Sequence, residues 1–385
     1  MKVTKLFNDF FNSERAGGIL LIFCAIVSLV LTNSPIGEAY QQLWHTSIIN
    51  HSIVYWINDA LMAIFFLLIG LELEREVYIG ELSKIKQASL PLVAAVGGMV
   101  MPAALYLVFN AGLPTQAGAG IPMATDIAFA IGILSLLGNR IPASLKVLLT
   151  ALAVIDDLGA IIVIAVFYTD SIAFTNLLIS LSILLFLFGL NRWKVYSLFP
   201  YLMGGVIAWY FMLQSGVHAT IAGVLLAFVM PFGDGREHST SYRLQKFLHR
   251  PVAFIILPLF ALANTCLVIE PGWMQNLTQP ESIGILVGLI VGKPLGIFLF
   301  SLVAVITGLC VKPNDLNWRH ILGVGFLGGI GFTMSIFITL LAYDQHEFIV
   351  ESKIAILLAS LVSGVIGFGW LRATLIRRPH DISPS

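Results

Sequence analysis

The sequence predicts an all-α polytopic membrane protein of twelve transmembrane helices with inverted-topology repeats, the fourth and eleventh spans being interrupted. Three observations carry this. Of 385 residues, 58% are hydrophobic and 11% charged, with a mean hydropathy of +0.92; a soluble domain carries about 25% charged residues. Residues 148–167 form an apolar run of spanning length with Asp156 and Asp157 at its middle. A carboxylate there costs at least about 2.5–3.5 kcal/mol on insertion scales, so the pair needs a reason. Finally, the bases fall on alternate loops.

The N-terminal stretch is short and mixed, and Leu6, Phe7, Phe10 and Phe11 suit the apolar face of an interfacial helix. Residues 17–31 read as the first span; no small-residue cleavage pattern follows, so no cleaved signal is expected. The segment 40–49 reads as a short hairpin or exposed loop. Further spans follow at 53–73, 90–109, 118–137, 145–167, 177–190, 198–212, 217–230, 253–267, 283–306, 321–342 and 354–371. Odd-to-even loops hold Glu38, Asp170, Glu270, Glu281, Asp344 and Glu347 and almost no bases. The other side holds every Lys and Arg except Lys293 and Lys353, among them Lys84, Arg140, Arg236, Arg243, Lys246, Arg250, Arg377 and Arg378. The positive-inside rule then puts both termini in the cytoplasm. The whole chain, 1–385, is expected to be one integral membrane domain. Net charge zero argues against a nucleic-acid partner. Cys24, Cys266 and Cys310 are too dispersed for a disulfide framework or metal site.

Two spans differ from the rest. Residues 118–137 carry Gly118, Gly120, Pro122 and Gly132 around Thr125-Asp126; residues 321–340 carry Gly323, Gly325, Gly328, Gly329 and Gly331 before Thr333. Glycine favours close helix packing, but the pair, each just before a long spanning helix, reads as two interrupted helices. Such backbone is tolerated at membrane depth only where protein or a wet cavity surrounds it, and marks a transporter's midplane site. The fourth span runs inward and the eleventh starts inside. This suggests an inverted repeat of spans three to five and ten to twelve, core repeats near 88–169 and 281–372.

Four charges lie deep: Asp126, Asp156, Asp157 and Lys293. Successive helical residues point about 100° apart, so one of the adjacent aspartates faces a cavity while the other pairs with a cation. Lys293 is the only base deep in the apolar chain and the natural partner; Pro294 after it disfavours helical geometry at Lys293. Asp126 suits a place where half-helix N-termini meet, each carrying roughly half a positive charge; capping its own helix is the plainer reading and is compatible. A hard monovalent cation takes oxygen ligands. Asp157, a second carboxylate, Thr125 and carbonyls at the breaks offer them, and protons compete for the same oxygens.

The segments ALAVIDDLGAI, PMATDIAFAIGIL, VGKPLGI, GFLGGIGFTMSIFI and FFLLIGLELERE, spread in order over nearly the whole chain, resemble the bacterial NhaA-type sodium/proton antiporters. The resemblance implies electrogenic exchange of protons for Na⁺ or Li⁺ in a bacterial inner membrane, crossed interrupted helices, activity rising at alkaline pH, no cofactor, and a homodimer through residues 40–49. It implies Asp157 as principal ion ligand, Asp156 as its titrating neighbour paired with Lys293, and Asp126 with Thr125 at the crossing. Glu72, Arg75 and Glu76 end the second span either as a solvated helix end or, by the resemblance, as a pH-sensing cytoplasmic funnel. His238 and His249 lie on the loop before the ninth span. Where the family has an acidic residue followed by histidine, this chain has Gln245 and Lys246. His218 reads as a packed or hydrogen-bonded histidine rather than a proton carrier. Asp59 lines a cavity or caps a helix.

Three other functions fit less well. An intramembrane aspartyl protease needs carboxylates from different helices about 3 Å apart, and these are adjacent in sequence and diverge. A cation channel needs selectivity rings from several subunits. A sodium-coupled solute symporter, the closest rival, needs polar groups for an organic solute that the apolar spans do not supply. The charge map predicts that a fluorescent-protein fusion at the C-terminus lights up in the cytoplasm while an alkaline phosphatase fusion there stays inactive; the opposite pattern would overturn the topology.

Overall fold

A computed structural model describes residues 5–80, 83, 85–138, 141–168, 172–235 and 239–375. The side chains of Leu6, Phe7, Phe10 and Phe11, and residues Lys84, Arg140, Asp170, Arg236, His238, Arg377 and Arg378, lie outside the described residues or side chains.

The described chain is almost entirely helical. Helix α1 spans Lys5–Thr32 and turns through 116° into α2, Gly37–His45. A two-stranded antiparallel hairpin, β1 (Ser47–Ile48) with β2 (His51–Ser52), leads into α3, Ile53–Tyr78. Next come α4 (Ile85–Asn110), a 3₁₀ segment (Pro114–Met123), α5 (Ile127–Ser135), α6 (Ala143–Phe167), α7 (Phe174–Arg192), α8 (Leu198–Leu213) and α9 (Thr220–Val229). The last third holds α10 (Thr240–Asn264), α11 (Pro280–Ile306), α12 (Trp318–Gly328), α13 (Phe332–Ala342) and α14 (His346–Leu375). Seven helices are long and apolar enough to cross a membrane, three helix pairs reach that length and apolarity only together and are bent by more than 40° at a short break, and α8 and α9 are shorter apolar helices.

The bundle is turned inside out relative to a soluble protein. Phe23, Leu185, Phe186, Phe199 and Val206 are exposed, whereas Asp126, Asp156, Asp157 and Lys293 are buried. Without water in a bilayer core, helices satisfy their own backbone groups and apolar side chains face lipid. Close approach is made by small residues. A Cβ on Gly223 of α9 would lie 2.2 Å from the Ala63 carbonyl oxygen of α3, so the two helices touch there only because position 223 has no side chain.

Several expectations are corrected. Residues 40–45 are helical, not hairpin or loop, because Tyr40 and Trp44, one turn apart, pack edge to face at 5.7 Å and the Tyr40 hydroxyl bonds Ser28; the hairpin begins at Ser47. The ninth span starts earlier, since α10 runs unbroken through Pro251. Glu281 is in the first turn of α11 and buried, not in a loop. Lys293 is helical (φ −62°, ψ −54°) despite Pro294. The reason lies just upstream. π-helical turns at Val252–Ile256 and Gly288–Gly292 each end two residues before a proline, Pro258 and Pro294. A proline offers no N–H to the carbonyl four residues back and its ring crowds that oxygen; the wider turn moves the oxygen aside and the helix continues.

Gly223→Leu should lower stability by about 1–3 kcal/mol, as overpacking does. Gly189→Leu, where a Cβ meets nothing within 4 Å, should not. Thermal unfolding of both variants in the same detergent checks this.

Candidate ion-binding site

Two breaks build the site. In the first, Pro114 begins the 3₁₀ segment and Pro122 lies near its end, where a missing donor discourages an α-helix. The chain straightens over Ala124–Asp126 and restarts as α5, bent by 41°. In the second, α12 ends at Gly328 and α13 restarts after Gly329–Gly331, bent by 48°. The breaks touch through backbone: the Asp126 N–H donates to the Ile330 carbonyl at 2.7 Å. A Cβ on Gly325 would lie 2.7 Å from Pro294 Cα, so α12 reaches α11 because residue 325 is glycine.

Asp126 holds two helix starts at once. Its Oδ1 accepts from Phe129 N at 2.9 Å, capping α5. Its Oδ2 accepts from Thr333 N at 3.1 Å and Thr333 Oγ1 at 2.5 Å, in the first turn of α13. Both readings of Asp126 describe one geometry: the carboxylate caps its own helix and faces a second N-terminus. Ser360 Oγ accepts from Phe332 N at 3.1 Å and satisfies another donor of α13.

Lys293 and Asp156 form a closed ion pair, Nζ to Oδ2 2.6 Å, with both side chains fully buried. Lys293 Nζ also donates to the Met123 carbonyl at the end of the 3₁₀ segment, so the ammonium meets a half-helix C-terminus. Thr125 Oγ1 lies 2.8 Å from Asp156 Oδ2 and 2.9 Å from the Gly328 carbonyl at the end of α12. Asp157 is equally deep, 1% exposed, and diverges from this network; its Oδ1 has no hydrogen-bond partner. The structure therefore brings Thr125, Asp126, Asp156, Asp157 and Lys293 into one cluster.

The other candidates lie elsewhere. Glu72 Oε1 is 3.8 Å from His249 Nδ1, and the Arg75 guanidinium sits 5.0 Å over the Tyr242 ring. The end of α3, with Glu76, thus docks on the amphipathic start of α10. There Gln245 is half-buried and Lys246 exposed. Asp59 lies in a π-helical turn, Ile57–Leu61, inside α3 and does not cap it; the cap is Ser52, whose hydroxyl accepts from Tyr55 N. His218 Nε2 donates to the Tyr168 carbonyl at 2.8 Å.

Three polar groupings escaped sequence reasoning. Lys353, left over from the charge map, reaches Asn264 Oδ1 at 3.3 Å, and Asn264 reaches Asn58 at 2.8 Å. Tyr106 and Tyr343 join hydroxyls at 2.5 Å beside the Thr115 carbonyl. Glu281 and Glu351 are buried on neighbouring helices, α11 and α14. Only Lys353 carried a signal, as a base at odds with the loop pattern.

Asp126→Ala removes the cap of two helices, each worth about 0.5–2 kcal/mol. It should lower the melting temperature more than Thr333→Val, which deletes one charge-assisted bond of about 1.5–3 kcal/mol and leaves the backbone donors in place. Equal melting of Asp126→Ala and the parent would overturn the double-cap assignment.

A family model described as Na+/H+ antiporter 1 matches residues 8–371. The chain is 66% identical over 375 residues to the Na(+)/H(+) antiporter NhaA 1 of Flavobacterium johnsoniae, covering 97% of this chain and 98% of that protein. It is 60% identical to the Na(+)/H(+) antiporter NhaA of Cytophaga hutchinsonii, covering 97% of each. The Na(+)/H(+) antiporter NhaA of Vibrio parahaemolyticus is 48% identical, with 97% of this chain and 98% of that protein covered.

Proposed function

The chain belongs to the Na+/H+ antiporter 1 family, and from that premise we propose that it extrudes cytoplasmic Na⁺, or Li⁺, in exchange for external protons at the Asp157 cluster. The observation that carries this is charge balance. Asp126 is matched by two helix N-termini, each worth roughly half a charge. Asp156 is matched by Lys293. Asp157 has no counter-charge of its own among the described residues. A buried carboxylate so placed takes a proton or a cation. Thr125, Asp156 and the carbonyls at the breaks are the further oxygens within the cluster, suited to a hard monovalent ion.

One ligand displaces the other, and alternate opening to the two sides turns displacement into exchange. In the proposed cycle Asp156 leaves Lys293 and takes a proton alongside Asp157, so two protons exchange for one cation and each cycle moves net charge. The chain transports rather than catalyses and needs no cofactor. Counting each bent pair and each shorter apolar helix as a span supports twelve spans, with the Thr125–Gly328 and Asp126–Ile330 contacts as the crossing of two interrupted helices. The repeats 88–169 and 281–372 then place one break each. Both termini lie in the cytoplasm of a bacterial inner membrane. Glu72, Arg75, Glu76 and His249 form the cytoplasmic funnel, Asp59 lines the opposite approach, and the exposed hairpin with Ile48 and Ile49 joins two copies.

The test is ΔpH dequenching in everted vesicles on adding Na⁺ or Li⁺. Asp157→Asn should abolish it. In the parent, apparent Na⁺ affinity should weaken by up to about tenfold per unit of falling pH for each competing proton, because each must leave before the ion binds. A pH-independent affinity, or a signal that requires an organic solute, would sink the reading.

A further inference from the structure

The segment that carries the Met123 carbonyl to Lys293 is a 3₁₀ helix of ten residues, Pro114–Met123. Such runs beyond three or four residues are uncommon, because side chains three apart eclipse and the backbone bonds are poorly aligned. A segment this long needs bonds from outside itself, and it has them. The hydroxyls of Tyr106 on α4 and Tyr343 just after α13 lie 2.8 and 3.0 Å from the Thr115 carbonyl and 2.5 Å from each other, a triangle held by their two protons. Tyr168, just after α6, donates to the Ala117 carbonyl at 2.6 Å. Its own carbonyl accepts from His218. Thr115 Oγ1 donates to Asn110 Oδ1 at 2.7 Å, and Ser335 Oγ of α13 donates to the Ile121 carbonyl at 2.7 Å. All three tyrosines are buried.

Two glycines of the first break make room for these hydroxyls. A Cβ on Gly118 would overlap those of Tyr343 and Tyr106, and one on Gly120 would lie 2.7 Å from that of Tyr168. The bend itself comes later, at Ala124–Asp126. Helix type matters because it sets length. A 3₁₀ helix rises about 2.0 Å per residue and an α-helix about 1.5 Å, so relaxation between Thr115 and Met123 would draw the Met123 carbonyl about 4 Å along the axis. That carbonyl bonds the Lys293 ammonium, and Thr125, two residues on, bonds Asp156.

We propose that Tyr106, Tyr168 and Tyr343 are positioning residues for the ion site. They touch no ion. They keep the segment 3₁₀ and so hold the Met123 carbonyl at Lys293 and Thr125 at Asp156. The proposal deepens the exchange reading and rests on it.

The test removes hydroxyls and keeps rings. In everted vesicles Tyr106→Phe/Tyr343→Phe should raise the apparent KM for Na⁺ about tenfold, the order that one or two lost hydrogen bonds supply, with the maximal rate little changed. Tyr343→Phe alone should give a smaller rise, and Gly118→Ala, whose methyl displaces the same hydroxyls, should raise KM too. Tyr201→Phe deletes a tyrosine-to-carbonyl bond to Val195 outside the segment and should leave KM unchanged. Amide hydrogen exchange of the full chain without Na⁺ should quicken at residues 115–123 in the double variant and not in α7. An unchanged KM, unchanged protection of 115–123, or an equal rise in KM with Tyr201→Phe overturns the proposal. Faster amide exchange beside a parent that gives no Na⁺ signal would support the tyrosine contacts and sink the antiport reading, so the two failures are distinguishable.

Discussion

The structure turns on the contact between Lys293 and Asp156. Both are fully buried, and removing one partner of such a pair leaves an uncompensated charge at about 3–5 kcal/mol. Much of the surrounding architecture holds that contact in place. The π-helical turn before Pro294 keeps α11 continuous at Lys293, glycine at 325 lets α12 reach α11, and the 3₁₀ segment ends so that the Met123 carbonyl meets the ammonium. With that pair and the double-capped Asp126 satisfied, one carboxylate in the deep cluster is left over.

Broken helices here serve as charged groups. A helix end carries about half a charge without a titratable side chain. Two N-termini at Asp126, with a C-terminus at Lys293, offset charges that would otherwise need further ionised residues in the bilayer. The arrangement depends on small or hydroxylated residues at the breaks, Thr125, Thr333, Gly329 and Gly331. Threonine supplies donors where the backbone stops supplying them, and glycine lets backbones meet.

The long apolar helices, the breaks and the Asp156–Lys293 contact were legible in the sequence: apolar runs marked the first, clustered glycine and proline the second, and the scarcity of charge the third. Charges are rare among these apolar runs, so Lys293 had few partners to choose from; Lys353, buried as well, is a second deep base that the reading of Lys293 as the only one missed. What was not legible rests on local geometry. A π-helical turn inserts one residue without changing composition, so Pro294 suggested an opened backbone that the helix in fact avoids. Glu281 read as loop because a proline followed by an acidic residue marks either a loop or a helix start; only packing against α14 decides which. Tyr40 and Trp44 are helical because their rings meet across one turn, a fact of three dimensions. The Asn58–Asn264–Lys353 chain joins residues far apart in sequence, and no spacing announces it.

The Thr125 hydroxyl has one proton and two acceptors, the Asp156 carboxylate and the Gly328 carbonyl. One acceptor belongs to the charge cluster and the other to the end of a helix. Any displacement that parts the two broken segments must give that proton wholly to one side. If Gly328 withdraws, Asp156 gains the whole bond; if Thr125 follows Gly328, Asp156 loses a donor and leans harder on Lys293. The relative position of two helices and the hydrogen bonding of the Asp156 carboxylate are thus linked through a single hydrogen atom.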